Sequence, residues 1–241
     1  MKYLPKAFKT ITITIALSLG WPQLAQAITI TTDGTWSNPL GRAANVAGEG
    51  TNTLSWGIPV DGLKSSYDFV GNGGIFLNDD ALDGSAFKLG TFTHNNFPIT
   101  AGTLLGATLN LNLSLDNGIV LDQDFTFNFA HNETNNFPPC NPVGTTFCPD
   151  IVSIPDVTAK ENIKIGGRIY RLEILGFSDT IDGSKVNEFI TEERSSNQTM
   201  LFASLNAVNN TSVPEPSSFI GLFTLAGVGI ASVVQKQRKN N

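Results

Sequence analysis

The chain has two histidines among its 241 residues, and both lie in similar polar segments. His94 lies in the segment FTHNNFP and His131 lies in FAHNETNNFPP, so the string Asn-Asn-Phe-Pro follows each of them closely. Imidazole, amide and carboxylate side chains this near to one another can bind a cation, move a proton or fix a loop by hydrogen bonds. The repetition predicts two comparable polar segments, each directly after a strand.

Two interpretations of these polar segments are open. The side-chain oxygens of Asn96, Glu133 and Asn135 could form a Ca²⁺ site, because a hard cation prefers oxygen ligands on loops. Alternatively, His94 and these three residues form a structural cluster that hydrogen-bonds within itself and to neighbouring backbone, the usual role of polar groups at strand ends. The structural interpretation is the simpler one, so we expect no cofactor.

The sequence offers little for catalysis. His131 and Glu133 form the one close histidine–acid pair, and no plausible nucleophile accompanies them in the sequence. The chain has no G-x-S-x-G elbow, no H-E-x-x-H zinc motif and no phosphate-binding glycine loop before a helix. A glycosidase would need two placed carboxylates, which the scattered acidic residues neither identify nor exclude. We therefore expect a non-catalytic protein.

The elements that must position the polar segments are predicted to be strands. Leucines alternate with polar residues over 109–115 and phenylalanines do so over 125–129, on either side of an Asn117-Gly118 turn, which predicts a hairpin. A second hairpin is predicted in NIKIGGRIYRLEIL, with two glycines at its turn. Further strands are predicted at Ser66–Phe69, Phe87–Thr93 and Met200–Ala207.

These patterns predict an all-β fold. No segment between the two ends shows helical periodicity over three turns, and many short strands separated by turns are typical of a single two-layer β-sandwich with jelly-roll-like connections over residues 28–212. The segment Ile28–Val213 contains 9 basic and 20 acidic residues and has a net charge of −11. Because a domain this acidic repels phosphate backbones, we expect no nucleic-acid partner.

The N-terminus has the layout of a cleavable secretory signal peptide. Three lysines precede the apolar run Ile11–Leu19, and an Ala-Gln-Ala site follows at 25–27. The apolar run is too short to span a bilayer, which takes about 20 apolar residues. We expect signal peptidase to remove residues 1–27, which makes Ile28 the first residue of the mature protein.

The C-terminus has the layout of a membrane segment. Residues Phe219–Val234 carry no charge, and a basic cluster follows directly, which predicts a transmembrane helix whose far end stays in the cytoplasm. Two prolines keep the chain before this helix extended, so that a processing enzyme could reach it above the membrane. The extended residues are Val213, Pro214, Glu215 and Pro216.

Residues 213–241 resemble the PEP-CTERM sorting signal of certain bacteria. The Pro-Glu-Pro motif, the apolar helix and the basic tail occur in the order of that family, although the basic cluster is lysine-rich and broken by Gln237. The resemblance implies a partner, the exosortase, a membrane protease-transpeptidase taken to recognise Pro-Glu-Pro and process the tail. It also implies export, with only transient anchoring in the membrane by the C-terminal helix.

A second resemblance covers about residues 56–205. The motif Thr93-His94-Asn95-Asn96, the later Glu133-Thr134-Asn135 and the segment GGRIYRLEILGF are similar to the THxN family of PEP-CTERM proteins, which overlaps the choice-of-anchor K domains. In that group an extracellular β-domain is joined to different surface anchors. The resemblance implies an exported surface domain of no established enzymatic activity.

Cys140 and Cys148 lie eight positions apart in a proline-rich loop. In an exported protein two cysteines this close most simply form a disulfide, which contributes about 2–3 kcal/mol through the loop it closes. A metal site is the weaker alternative, because two thiols without a nearby histidine do not complete a tetrahedral site. We therefore expect a disulfide here and no metal.

Together these observations predict an exported bacterial surface or extracellular-matrix protein that is sorted by an exosortase system and has no catalysis of its own. One alternative is a carbohydrate- or calcium-binding module associated with exopolysaccharide, and a weaker one is a polysaccharide hydrolase. A sugar-binding sheet face would expose aromatic rings. Trp36 and Trp56 are the candidates for such rings, and a place in the core fits them equally well.

Overall fold

The computed structural model describes residues 28–77, 82, 84–116, 120–134, 148–156, 158–165 and 168–208. Within these ranges the backbone forms strands and turns and no α-helix. In chain order the strands are β1 (Ile28–Gly41), β2 (Thr53–Trp56), β3 (Ile58–Pro59), β4 (Ser65–Gly71), β5 (Ile75–Leu77), β6 (Phe87–Asn96), β7 (Ile99–Thr100), β8 (Leu104–Asp116), β9 (Val120–Asn132), β10 (Asp150–Ser153), β11 (Thr158–Ile165), β12 (Arg168–Ser178), β13 (Glu188–Thr191) and β14 (Ser195–Ala207).

The strands form two six-stranded antiparallel sheets. The first sheet has the order β13-β10-β9-β8-β1-β5, and the second has the order β11-β12-β14-β6-β4-β2. Strands β3 and β7 form a separate short pair. Each sheet turns its apolar face toward the other, and the two faces share one core. The prediction of an all-β fold is confirmed.

The strand pairings of both predicted hairpins are confirmed, while their predicted turns at Asn117-Gly118 and Gly166-Gly167 lie outside the described residues. Strands β8 and β9 pair so that Leu111 lies opposite Phe125, and the alternating leucines and phenylalanines are buried. Strands β11 and β12 pair with Ile163 opposite Tyr170. Strict alternation produces this result because successive side chains of a strand point to opposite faces of the sheet. The three further predicted strands lie within β4, β6 and β14.

The long first strand, β1, is absent from the predictions. Its sequence ITITTDGTWSNPLG mixes threonine with glycine, asparagine and proline, so its apolar alternation is weak. The strand gains its order from pairing with β8, in a register that runs from Thr29 opposite Asp116 to Gly41 opposite Leu104. This pairing places β1 inside the first sheet, between β8 and β5.

Both tryptophans considered for an aromatic binding face lie in the core. Trp36 and Trp56 have no exposed surface. The Trp36 ring lies 5.3 Å from the ring of Tyr67 and meets Phe129 edge-on at 5.2 Å. The interpretation of these tryptophans as an exposed platform is therefore wrong, and they instead connect the interiors of the two sheets.

Phe69 fixes how closely the two sheets approach. A Cβ atom at Gly34, on the first sheet, would lie 2.5 Å from the Phe69 ring, and a Cβ atom at Gly90, on the second sheet, would lie equally close at 2.5 Å. Gly34 belongs to β1 and Gly90 to β6, while Phe69 itself is fully buried on β4. The ring thus occupies the space that two glycines leave open.

Within the described residues no helix is long and apolar enough to cross a membrane. The predicted signal peptide (residues 1–27) and the predicted sorting signal with its transmembrane helix (residues 213–241) lie outside the described residues. Both remain predictions from the sequence.

The glycine contacts generate a stability prediction. We expect Gly34→Ala to lower the free energy of unfolding by about 1–3 kcal/mol, because the added methyl group must displace the Phe69 ring in a close-packed core. Urea unfolding followed by the fluorescence of the buried tryptophans measures this. Gly73→Ala is the matched control, because nothing lies within 4 Å of its Cβ position, and it should change stability by less than about 0.5 kcal/mol. Equal stability of the two variants would contradict the packing role.

Candidate functional site

The two histidine segments meet at one end of the paired sheets. His94 is on β6 of the second sheet and His131 is on β9 of the first, and both are buried because they continue the inward alternation of Phe92 and Phe129. The two imidazole rings lie 5.1 Å apart and nearly perpendicular, at 86°. The repeated segment in the sequence therefore supplies one histidine from each sheet to the same buried site.

His131 lies between two carboxylates. Its Nε2 atom is 3.3 Å from Oε2 of Glu133 and 3.7 Å from Oδ2 of Asp150. None of these three atoms has a hydrogen-bond partner of normal geometry. The other ring nitrogen, Nδ1, is hydrogen-bonded to the hydroxyl group of Tyr67. Tyr67 thus holds the Nδ1 side of the imidazole ring in place. The Nε2 side faces two carboxylate oxygens without forming a hydrogen bond to either.

His94 is oriented by Thr191. The Thr191 hydroxyl donates to the backbone carbonyl of Asp150 at 3.4 Å, so it accepts from Nδ1 of His94, which lies 2.8 Å away. A neutral imidazole carries one N–H, and that proton is consequently on Nδ1. Nε2 of His94 therefore presents a lone pair, is buried and has no hydrogen-bond partner.

Asp150 is held through its other carboxylate oxygen. The backbone N–H of Thr134 donates to Oδ1 at 2.8 Å, and the Thr134 hydroxyl lies 3.3 Å from the same atom. The residue is 1% exposed, and on β10 it lies directly opposite Thr191 of β13. This anchoring leaves Oδ2 facing His131.

Aromatic rings surround the site. Trp56 stacks on His94, with ring centroids 5.8 Å apart and an interplanar angle of 18°, and it meets His131 edge-on at 5.6 Å. Tyr67 meets His94 edge-on at 5.1 Å. These rings exclude water, so electrostatic interactions inside the site are stronger than at the surface.

The surroundings shift the pKa values of the two histidines in opposite directions. Burial, and then the charge of His131, hold the pKa of His94 well below its usual value. Burial by itself would lower the pKa of His131 too, but the carboxylates of Asp150 and Glu133 outweigh it and raise that pKa. Burial and the same two carboxylates raise the pKa of Tyr67 well above its usual value. The neutral form is thus favoured at His94 and Tyr67, and the charged form at His131.

The predicted polar cluster is brought together in part. His94, Asn96 and Glu133 lie at the same end of the sheets, but the first two bond to Thr191 and not to one another. His94 bonds to the Thr191 hydroxyl, and the amide of Asn96 donates to the Thr191 backbone carbonyl at 3.2 Å. Oδ1 of Asn96 is buried without a hydrogen-bond partner. Asn135 lies outside the described residues.

The sequence predictions missed Tyr67, Asp150 and Thr191. A signal for Asp150 exists in the strand DIVS, where it shares the core-facing side with Val152, an unusual place for a carboxylate. Thr191 likewise follows Phe189 by two positions on β13. A polar residue in register with buried apolar neighbours is therefore the signal that could have indicated them.

Cys148 lies just before Asp150. It is disulfide-bonded and 2% exposed, and its carbonyl accepts a hydrogen bond of 3.0 Å from the Thr134 hydroxyl. The chain's other cysteine, Cys140, lies outside the described residues, so the pairing of the two remains a prediction. Cys148 and Thr134 together connect the loop to the carboxylate of the site.

The arrangement offers ligands for a metal ion. His94, His131 and Asp150 each provide one ligand atom, and these atoms all lie within 4.8 Å of one another. Glu133 adds a second carboxylate next to His131. Imidazole nitrogen combined with carboxylate oxygen is the donor set of many divalent transition-metal sites. We call His94, His131, Glu133 and Asp150 the histidine–carboxylate cluster.

Comparison with known proteins adds no identity to this geometry. No known family model matches the chain, and no curated protein is significantly similar to it in sequence. The function of the site therefore has to come from the chemistry of its residues and from the signals in the sequence.

The hydrogen bond from Tyr67 generates a second prediction. Tyr67→Phe removes the hydroxyl and leaves Nδ1 of the buried His131 without a partner, so we expect a loss of about 1–3 kcal/mol in the free energy of unfolding. Urea unfolding measures the loss. Tyr170→Phe is the control: Tyr170 is also a buried residue, and we expect a smaller change there. A Tyr67→Phe variant as stable as the control would contradict a structural role for this bond.

Proposed function

We propose that the chain is a bacterial exported surface or extracellular-matrix protein whose β-domain, residues 28–212, is displayed outside the cell. The observation that carries the proposal is the order of three parts in residues 213–241: Pro-Glu-Pro, an uncharged apolar run and a basic tail. A buried helix of a globular domain would need none of these three in that order. An exosortase that reads the first part while the second lies in the membrane accounts for all of them.

The N-terminal segment supports the same route. A basic segment, a short apolar run and an Ala-Gln-Ala site direct the chain to export and to signal peptidase. A disulfide at Cys148 fits an oxidising location outside the cytoplasm. The strong negative charge of residues 28–213 favours solubility in that environment.

We propose no catalysis for the displayed domain, which we assign to the two-layer, jelly-roll-like sandwiches. The histidines are at most 4% exposed and aromatic rings cover them, so a polymer substrate has no path to these side chains. A general acid or base must come within hydrogen-bonding distance of the proton that it transfers. The buried polar residues therefore serve the domain itself rather than a polysaccharide.

One surface feature favours the carbohydrate-binding alternative. A groove of about 410 Å³ runs over the outer face of the first sheet, and Asp33, Asn110, Asn112 and Asp124 line it. Amide and carboxylate groups of this kind can hydrogen-bond sugar hydroxyl groups. The one aromatic residue of this lining, Phe125, is 2% exposed, and Trp36 faces the core, so the groove exposes no ring that could stack on a sugar.

Glycan-array binding of the mature protein distinguishes the two functions. A displayed domain without a sugar ligand should show no saturable binding. Binding that is lost in Asp124→Ala but kept in Asp122→Ala would instead support the carbohydrate-binding module, because Asp124 lines the groove and Asp122, exposed on the same strand, does not.

Intact-mass analysis of the protein from cells with and without the matching exosortase tests the main proposal. We expect a mature N-terminus at Ile28 in both strains. We expect loss of the tail after the Pro-Glu-Pro region only where the exosortase is present, with any excess mass reporting a group transferred to the new end. Glu215→Ala should reduce this processing. Retention of Met1, or a tail of the same mass in both strains, would contradict the proposal.

A further inference from the structure

We propose that the histidine–carboxylate cluster binds one divalent transition-metal ion, with Zn²⁺ as the best match, as a closed structural site between the two sheets. The ligands are one ring nitrogen each from His94 and His131 and a carboxylate oxygen of Asp150, and the carboxylate of Glu133, 3.3 Å from Nε2 of His131, would complete the set. The inference goes beyond the proposed export and display, and neither depends on the other.

The spacing of the donor atoms suits a tetrahedral ion. Bonds of about 2.0–2.2 Å place neighbouring ligand atoms about 3.4 Å apart. The two separations from Nε2 of His131, 3.3 Å to Glu133 and 3.7 Å to Asp150, lie on either side of this value. The ligand atoms of His94, His131 and Asp150 all lie within 4.8 Å of one another, so these three side chains can approach a single ion.

Every donor atom lacks a hydrogen-bond partner. Nε2 of both histidines, Oε2 of Glu133 and Oδ2 of Asp150 are buried without a hydrogen bond, although Nε2 of His131 lies within ion-pair distance of the two carboxylates. Four such atoms at one end of the core are costly to bury, because a buried polar group without a hydrogen bond loses its hydration and gains little in exchange. A single cation at that point would provide a partner for all four.

The opposite atoms of three of these groups are held by hydrogen bonds. Thr191 binds Nδ1 of His94, Tyr67 binds Nδ1 of His131, and Thr134 binds Oδ1 of Asp150. Outer hydrogen bonds of this kind orient metal ligands and select the imidazole tautomer whose free nitrogen faces the ion. At His94 the tautomer that the hydrogen bonds require is already the ligating one, whereas at His131 the ion would displace the proton from Nε2.

The donor set distinguishes between metals. Two imidazole nitrogens suit Zn²⁺ and its transition-metal neighbours, whereas Ca²⁺ and Mg²⁺ prefer oxygen ligands throughout. A Ca²⁺ site built from loop oxygens alone is thus a poorer match for this cluster. The charge also balances, since two carboxylates offset a dication. Burial by Trp56 and Tyr67 closes the site, as in structural rather than catalytic zinc centres.

Metal content and a spectroscopic probe test the proposal on the untagged, full-length chain. Because the chain has two histidines, any imidazole coordination reports this site. We expect one Zn²⁺ per chain by mass spectrometry, and the visible absorption of tetrahedral Co²⁺ with nitrogen and oxygen ligands after exchange. Addition of Zn²⁺ at about 100 times its Kd should raise Tm by about 5–10 °C over the chelated protein.

Variants locate the ion. His94→Gln and Asp150→Asn should abolish stoichiometric binding, and Thr191→Val, which removes the outer hydrogen bond to His94, should weaken it by about 10–100-fold. Asp122→Asn is the control, an exposed carboxylate on β9 whose loss should leave binding unchanged.

The wild-type measurements need no variant, so they decide the question even if His94→Gln fails to fold. An equal Tm with and without Zn²⁺, a Co²⁺ spectrum typical of six oxygen ligands, or stabilisation by Ca²⁺ alone would each overturn the proposal. None of these outcomes bears on signal-peptide removal or tail processing, which the intact mass reports separately.

Discussion

The contact of Phe69, on the second sheet, with Gly34, on the first, brings the two sheets together, while Gly90 leaves room for the ring on its own sheet. The rest of the structure depends on that closeness. With no side chain at either glycine, the ring fills the space between the sheets, and large apolar residues on both sides complete one shared core. In a core packed this densely, a displaced side chain moves its neighbours as well. The distance between the sheets therefore also sets the distance between the histidine of β6 and the histidine of β9.

At one end of this core the apolar lining gives way to imidazole and carboxylate groups. Such groups are costly to bury, and they stay in place only when partners or a bound ion compensate for lost water. Here Tyr67, Thr134 and Thr191 satisfy the outward atoms, while the inward atoms converge. The proposed ion would connect β6 of the second sheet with β9 and β10 of the first, and would act as a cross-link between the sheets.

A non-catalytic domain that holds a buried metal ion between its sheets is consistent with the proposed display outside the cell. A displayed protein has to keep its fold without the reducing and repair systems of the cytoplasm, and a buried ion and a disulfide near Cys148 would both oppose unfolding. The polar groove over Asp33 and Asp124 lies on the outer face of the first sheet, so a ligand there would not compete with the buried site.

The sequence by itself determined the strands with regular alternation, including those of both hairpins. It also indicated His94 and His131 as candidate site residues. It did not determine β1, whose order comes from pairing with β8, or the approach of Tyr67, Asp150 and Thr191 to the histidines. Periodicity fixes the face to which a side chain points, but it does not fix which strand lies opposite. Only the packing of one sheet on the other decided that residues from five separate strands share one site.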